Sequence, residues 1–369
     1  MSRKISSQQL HQLYNKLNNR FILVLSLFTS LVLFAIRCND NPVAPVTENA
    51  FAIYFLKDTT LTIKNILNTN LEDLELADKP WLSQNDIEFY DWSSHCIYLK
   101  KDKNYLFPGI NLDSSISESF YKFWNNKPFI VTANNKKCYI GYFLATLSSD
   151  IWPYPDIFDF DIRYYPSDII HTEWSYPFAN DKRNNENVRN GLIECDQLHE
   201  GLSITTDSLW IDNADTATVK YVITIKNKDT DDLYVLDPDK MGTELFHYFT
   251  NGPAFYHTAN KKTYESIYKE INKPEPTDYY DNNWFTKIEA GKSLTRMILL
   301  KGYQYLPDGD YYCSISLNNP YNINKKDRIA TDGRYWIGPT RSEMIEFYFV
   351  NSKKGPPSIK LLNSVNRFY

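Results

Sequence analysis

From residue 202 onward, apolar and polar positions alternate with a period of two. Val219, Tyr221, Ile223 and Ile225 are interleaved with Lys220, Thr224 and Lys226, which places one strand face in a core and the other in water. Asn227 to Asp232 then reads as a polar turn, Leu233 to Leu236 as the next strand, Ile288 to Leu300 as a pair about Ala290-Gly291, and Met344 to Val350 as a last strand. Residues 237–283 interrupt this series as a long insertion, with Tyr264, Ile267, Tyr268 and Ile271 at helical spacing and Asn272 and Pro274 as the stop. Insertions of this size in a sheet protein often carry function.

The first half is less regular. Phe51 to Leu56 and Ser94 to Lys100 read as strands, Ser83 with Asp86 as a helix cap or a turn, and Ser117 to Trp124 as a short helix with Phe120, Phe123 and Trp124 on one side. Phe129 to Ala133 and Lys137 to Leu144 flank Asn134-Asn135, a pair that tolerates positive φ, and so form a hairpin. Further strands are expected over Phe158 to Tyr164 and Asp168 to Trp174. Within residues 181–201, Val188, Leu192, Cys195 and His199 recur at helical spacing ahead of Gly201, which predicts a connecting helix.

Ahead of all this lies a segment of another kind. Residues 21–36, FILVLSLFTSLVLFAI, carry no charge, and residues 1–37 hold five basic side chains and no acid. Basic flank, apolar run and polar junction are the layout of a secretory signal, with the basic end left in the cytoplasm. As a helix the run spans roughly 24 Å, a little short of a ~30 Å hydrocarbon core. Leu10, Leu13, Tyr14 and Leu17 fall at helical spacing and suit a short helix lying on the membrane surface.

Phe34-Ala35-Ile36-Arg37-Cys38, followed by an Asn- and Pro-rich stretch, resembles the start of a bacterial lipoprotein, in which Cys38 is the lipid attachment point. It departs from that pattern at Arg37, where a small residue is usual, and at Ala35, where Leu is usual. A cleaved lipoprotein and an uncleaved signal anchor both remain open, and both keep the protein on a membrane with its body outside the cytoplasm.

Charge bears on partners. Taking the five basic residues of the leader from the 40 leaves 35 against 45 acidic ones, a net of −10 for the body. Phosphate backbones repel such a surface, so nucleic acid is excluded as a partner. The 28 Tyr, 21 Phe and 8 Trp favour sheets with aromatic cross-strand pairs, although an AT-rich genome raises Tyr, Asn, Lys and Ile together. Of the cysteines, Cys38, Cys96, Cys138, Cys195 and Cys313, none forms a CxxC pair or a zinc spacing. With Cys38 lipidated, the other four allow two disulfides in three pairings, or remain free thiols.

Leu306-Pro307-Asp308-Gly309-Asp310-Tyr311-Tyr312-Cys313 resembles the tyrosine corner of immunoglobulin-like domains, and bacterial proteinase-inhibitor-type sandwiches have a similar phrase. The resemblance implies that Tyr311 fixes the corner between sheets by bonding backward along the chain. Val219 to Asn227, the matching early strand, has no cysteine, so the inter-sheet disulfide of antibody domains is not expected. The expected fold is mainly β with some α. It comprises an N-terminal membrane segment (1–37), a tether (38–50), a β-rich first domain (51–180), a connecting helix (181–201), an immunoglobulin-like β-sandwich with an inserted helix (202–350) and a tail (351–369).

Candidate chemistry is sparse. Asp237 and Asp239, near Gly242 and after Asp229, Asp231 and Asp232, are weak calcium candidates, but the EF-hand pattern fails at Met241 and Tyr248. Asp159 and Asp161 would share a strand face as paired carboxylates, with Arg163 beside them, and His171 and Glu173 would share one as two metal ligands. HExxH, GxSxG, Walker and GxGxxG motifs are all absent from the chain. Phe246, Tyr248, Phe249, Phe255 and Tyr256 form a candidate binding loop of stacked rings, against the plainer reading of core packing.

No cofactor and no catalytic residue is assigned. The function expected is a non-catalytic binding or interaction module in the cell envelope, with a protein or envelope component as partner. The alternatives are an envelope hydrolase with an accessory sandwich and a proteinase inhibitor. A cleft in residues 50–200 lined by at least two close carboxylates, or by a His with a carboxylate, would favour the hydrolase, and an exposed aromatic loop on a pocketless body would favour binding.

Overall fold

The computed structural model describes residues 49–108, 110, 116–175, 180–213, 217–250, 252–265, 282–319, 329–330, 332–350 and 360–362. The leader, the Cys38 junction, most of the expected helix over 264–271 and nearly all of the tail lie outside the described residues. Among the described residues no helix is long and apolar enough to cross a membrane. The chain divides into residues 1–47 and a body, Glu48–Tyr369, that forms one compact unit. The body is mainly β with few helices, and its several sheets are compatible with a β-sandwich.

In the first half, one sheet runs in the order Leu82–Ser83, Ala52–Phe55, Pro128–Ala133, Lys136–Leu144, Asp156–Phe158. Its centre is the Asn134-Asn135 hairpin, where φ values of 50° and 62° need residues tolerant of the left-handed region. A second sheet is ordered Ile169–His171, Cys96–Leu99, Ile87–Asp91, Leu198–His199.

The second half holds three larger sheets and a two-stranded ribbon. Long antiparallel strands Leu202–Asn213, Ala217–Asn227 and Ser293–Tyr303 form the first. The second is ordered Phe285–Ile288, Leu233–Leu236, Gly333–Tyr335, Ile329–Ala330, and the third Lys262–Tyr264, Ala254–His257, Gly309–Ser314, Ile345–Phe349, Lys360–Leu362. Ser316–Asn319 pairs with Gly338–Arg341 as the ribbon. Along Ala217–Asn227 the side chains alternate strictly between buried and partly exposed, as their period of two requires.

Two expectations are corrected. Phe158 to Tyr164 is not one strand: Asp156–Phe158 is extended, and Asp159–Tyr164 is a helix. The helix wins because its polar residues reach separate partners while Ile162 enters the core. The connecting helix covers only Glu186–Glu194, capped by the Asn185 side chain on the Asn187 and Val188 amides. Asp196 turns the chain at φ 55°, and Leu198–His199 joins a sheet. Ser83 and Asp86 make a turn, with the Asp86 carboxylate accepting from the Ser83 amide and hydroxyl.

The interior holds two principal hydrophobic clusters, and one sheet serves both. Cys96, Tyr98 and Ile169 belong to the cluster of the second half, whereas Ile97, Leu99 and Ile170 belong to that of the first. All four residues of Cys96–Leu99 are buried, so this strand is covered on both faces. A smaller cluster of Leu56, Ile63, Ile66 and Leu74 sits beside Ile130 and Tyr142.

Candidate functional site

Asp161 and Glu173 gather about His171 where the first sheet meets the second. Asp156 and Glu173 face each other in an antiparallel bridge, with the Asp156 amide donating to the Glu173 carbonyl at 3.1 Å and the reverse bond at 2.8 Å. Directly opposed residues project to one side, so both carboxylates lie on the same face. His171, two residues before Glu173, is 2% exposed and stacks on Tyr165 with ring centroids 5.1 Å apart.

Asp161 comes to His171 from the helix rather than from a strand. Residues two apart on a helix do not face each other, so Asp159 and Asp161 part company. Asp159 accepts from the Thr146 amide at 2.8 Å, and Asp161 accepts from His171 Nδ1 at 2.6 Å. This corrects the shared-face expectation for the two aspartates; Arg163 instead lies over the Tyr164 ring. With Nδ1 engaged, His171 Nε2 points toward Glu173 Oε2 at 3.8 Å and has no hydrogen-bond partner.

Asp156, 1% exposed, also leaves both carboxylate oxygens without a hydrogen-bond partner. Burial, with Glu173 and then Asp161 as neighbouring acids, pushes its pKa well above the usual carboxylate range. Nearby, Arg183 donates to both oxygens of Asp181 and to the Thr172 carbonyl. Burial, followed by the Arg183 charge, holds the His95 pKa well below the ordinary value.

The second acid cluster already has its cation. Arg334 Nη2 lies 2.9 Å from Asp91 and 2.5 Å from Asp229, and its guanidinium stacks over Phe89. His199 Nδ1 lies 2.8 Å from Asp229. Burial opposes ionisation of Asp229, yet the hydrogen bond to His199 and the Arg334 charge outweigh it and lower its pKa well below the usual range. Trp336 Nε1 donates to Ser93 Oγ at 3.0 Å, so the network ties the first half of the chain to the second.

The calcium candidates are bridged by an arginine. Arg296 donates to Asp237 at 2.6 Å through Nη2 and meets Asp239 at 2.9 Å through Nε. Asp237 also caps the helix Pro238–Met241 by accepting from the Asp239 amide, and it accepts from the Thr286 hydroxyl.

The ring-rich segment expected as a loop folds as a helix, Thr243–Thr250, and a strand, Ala254–His257. Phe246 and Phe255 lie in the core, while Tyr248, Phe249 and Tyr256 are partly covered. Tyr311 donates its hydroxyl to the Pro307 carbonyl at 2.6 Å, four residues back. Cys96, Cys138, Cys195 and Cys313 are all free thiols. Burial pushes the Cys138 pKa up to about 11.

Sequence reasoning passed over one surface. On the outer face of the long three-stranded sheet, Trp210, Lys220 and Leu299 form one cross-strand row, and Ser208, Val222 and Met297 the next. Trp210 is 45% exposed, Met297 60% and Leu299 49%. The alternation of residues 293–303 carried the signal, since Met297 and Leu299 fall in the solvent phase of a strand whose other phase holds Ile298 and Leu300. No protein-family model and no curated protein matches the chain.

Proposed function

We infer that the protein is exported, held to a membrane by residues 1–37 or by a lipid on Cys38, and binds an envelope protein through its body. The second half is read as an immunoglobulin-like sandwich, and its role as recognition without catalysis. The observation that carries the reading is the outer sheet face with Trp210, Val222, Met297 and Leu299 side by side. Apolar side chains placed together on solvent-facing strand positions suit a protein partner. Lys220, 5.2 Å from the Trp210 ring, and the Thr224 and Thr295 hydroxyls supply a polar border.

The hydrolase alternative has one observation in its favour, the Asp161 and His171 pair. An imidazole that is 2% exposed, however, does not meet a sugar or peptide substrate. Recognition on an open sheet face therefore stands as the preferred role.

Two measurements test the reading. Mass spectrometry of the mature N-terminus is expected to find a diacylglyceryl-modified Cys38 or an intact Met1 in the membrane fraction, and an unmodified start beyond Cys38 overturns the tether. Trp210→Ser with Met297→Ser is expected to weaken retention of solubilised envelope protein at least about tenfold, the loss of roughly 1.4 kcal/mol. Unchanged retention with an unchanged melting temperature overturns the binding face.

A further inference from the structure

We propose that a cavity lined by residues 56–75 binds a small organic cation, an ammonium carried on a compact apolar body. The site involves neither the tether nor the sheet face above. Leu56 bridges Leu76, and the Lys57 amide donates to the Glu75 carbonyl at 2.9 Å, so residues 57–75 leave and rejoin the body at one neck. Two short helices shape this loop. Asn65 Oδ1 accepts from the Thr62 amide at 2.8 Å at the start of Ile63–Ile66, and Asn70 accepts from the Glu72 amide at the start of Leu71–Asp73. Long loops whose ends are held together commonly carry function. Residues 56–75 supply the whole lining of a cavity of about 440 Å³, a volume usual for small-molecule sites.

The floor of the cavity is apolar and fixed. Leu56, Ile66 and Leu74 are each almost fully buried and share a hydrophobic cluster with Ile130 and Tyr142 of the Asn134-Asn135 hairpin, and half-buried Leu61 packs against it. The first sheet therefore supports the floor from below. Water gains little against such a surface, whereas hydrocarbon laid on it sheds its own hydration.

The rim decides the charge of the occupant. Asp58, Asp73 and Glu75 line the cavity with one base, Lys57, whose Nζ lies 3.6 Å from Glu75 Oε2 and so offsets that acid. Asp58 Oδ1 accepts from the Thr60 hydroxyl at 2.6 Å and from its amide at 3.0 Å, bonds that hold the pKa below the usual carboxylate range and leave Oδ2 to an incoming donor. Among the described residues, neither Asp58 nor Asp73 has an ion-pair partner. Lys137, whose Nζ donates to the Glu72 carbonyl, is not part of the lining. Asp91 with Asp229, and Asp237 with Asp239, by contrast each hold an arginine between their carboxylates. Two uncompensated negative charges above an apolar floor repel carboxylates and phosphates and attract a cation. A bare metal ion wants oxygen all round and leaves the floor uncovered, whereas an alkylammonium satisfies floor and rim together.

The test titrates the full chain, methyl-labelled at Ile and Leu in non-ionic detergent, with three probes that share one hydrocarbon body: octylammonium, octanol and octanoate. Methyl NMR reads the site itself, so partition of a probe into micelles does not mimic binding. Octylammonium is expected to shift the Ile66 and Leu74 methyls and to bind at least about tenfold more tightly than octanol, with octanoate weaker than either. Asp58→Asn combined with Asp73→Asn, both at exposed positions, is expected to bring octylammonium and octanol within about twofold of each other. Leu61→Trp, which fills the cavity from its half-buried wall, is expected to weaken both at least about tenfold. Equal affinity for the three probes, preference for octanoate, full octylammonium affinity in the double aspartate variant, or unmoved Ile66 and Leu74 methyls at about 10 mM probe overturns the site.

Discussion

Arg334 shows how much a single side chain holds together. The residue is 7% exposed, and its guanidinium joins Asp91 to Asp229, residues that lie 243 and 105 positions away in the chain. Arg334→Ala leaves two buried carboxylates without their cation, and a loss of about 3–5 kcal/mol in urea unfolding is expected. The acid limb of stability should fall in two stages. Burial draws the His247 pKa down to about 4, so the unfolded chain takes up its proton first, and stability drops as the pH falls from about 6.5. Asp229 is lowered below the carboxylate range, so its contribution is complete above about pH 3.9 and is lost as the pH falls further. His247→Gln should shrink the first stage, to which buried His95 contributes with the same sign, and Asp229→Asn should shrink the second, as read by melting temperature against pH. His171 and Glu173 were legible as a pair because two-residue spacing on an extended chain sets a common face. The Asp161 contribution was not, because the residue's local structure decides where it points, and a six-residue helix cannot be told from a strand by periodicity.

At the scale of elements, the turn and alternation signals translated well. The Asn134-Asn135 hairpin holds two residues at positive φ, which Asn accepts at less cost than other side chains. Asn135→Ala should cost about 1 kcal/mol in denaturant unfolding. The Tyr311 hydroxyl, bonded to the Pro307 carbonyl, fixes the approach to Gly309–Ser314. Tyr311→Phe should lower stability by about 1–2 kcal/mol, measured the same way. The candidate aromatic loop misled because ring-rich runs look alike whether they face a ligand or a core. Phe246 and Phe255 entered the interior because the helix and strand carrying them present those positions inward. The exposed Met297 and Leu299 were hidden by the opposite habit of treating every apolar residue of a strand as buried, when only one phase is.

Across the whole molecule, the sequence made plain a β-rich body and an N-terminal segment of different composition, since both rest on composition and short periods. How the halves are joined was not legible. Helical spacing at residues 181–201 drew attention to a connector, yet Val188 and Leu192 of that helix pack wholly within the first core. The surfaces that meet belong to Cys96–Leu99 and Ile169–His171, whose short runs show no alternation because water reaches neither side. Partner choice within a sheet depends on residues far apart in the chain, which no local window reports.

That two-sided strand governs the order in which the protein can be assembled. Tyr98 and Ile169 remain uncovered until residues beyond 202 have been made, so the N-terminal half is born with an open greasy flank. A fragment ending near residue 200 should accumulate as aggregate, and co-expression with residues 201–369 should recover soluble material, as sedimentation of the two lysates would show. A cell producing this chain must therefore shield its first half until synthesis is nearly complete.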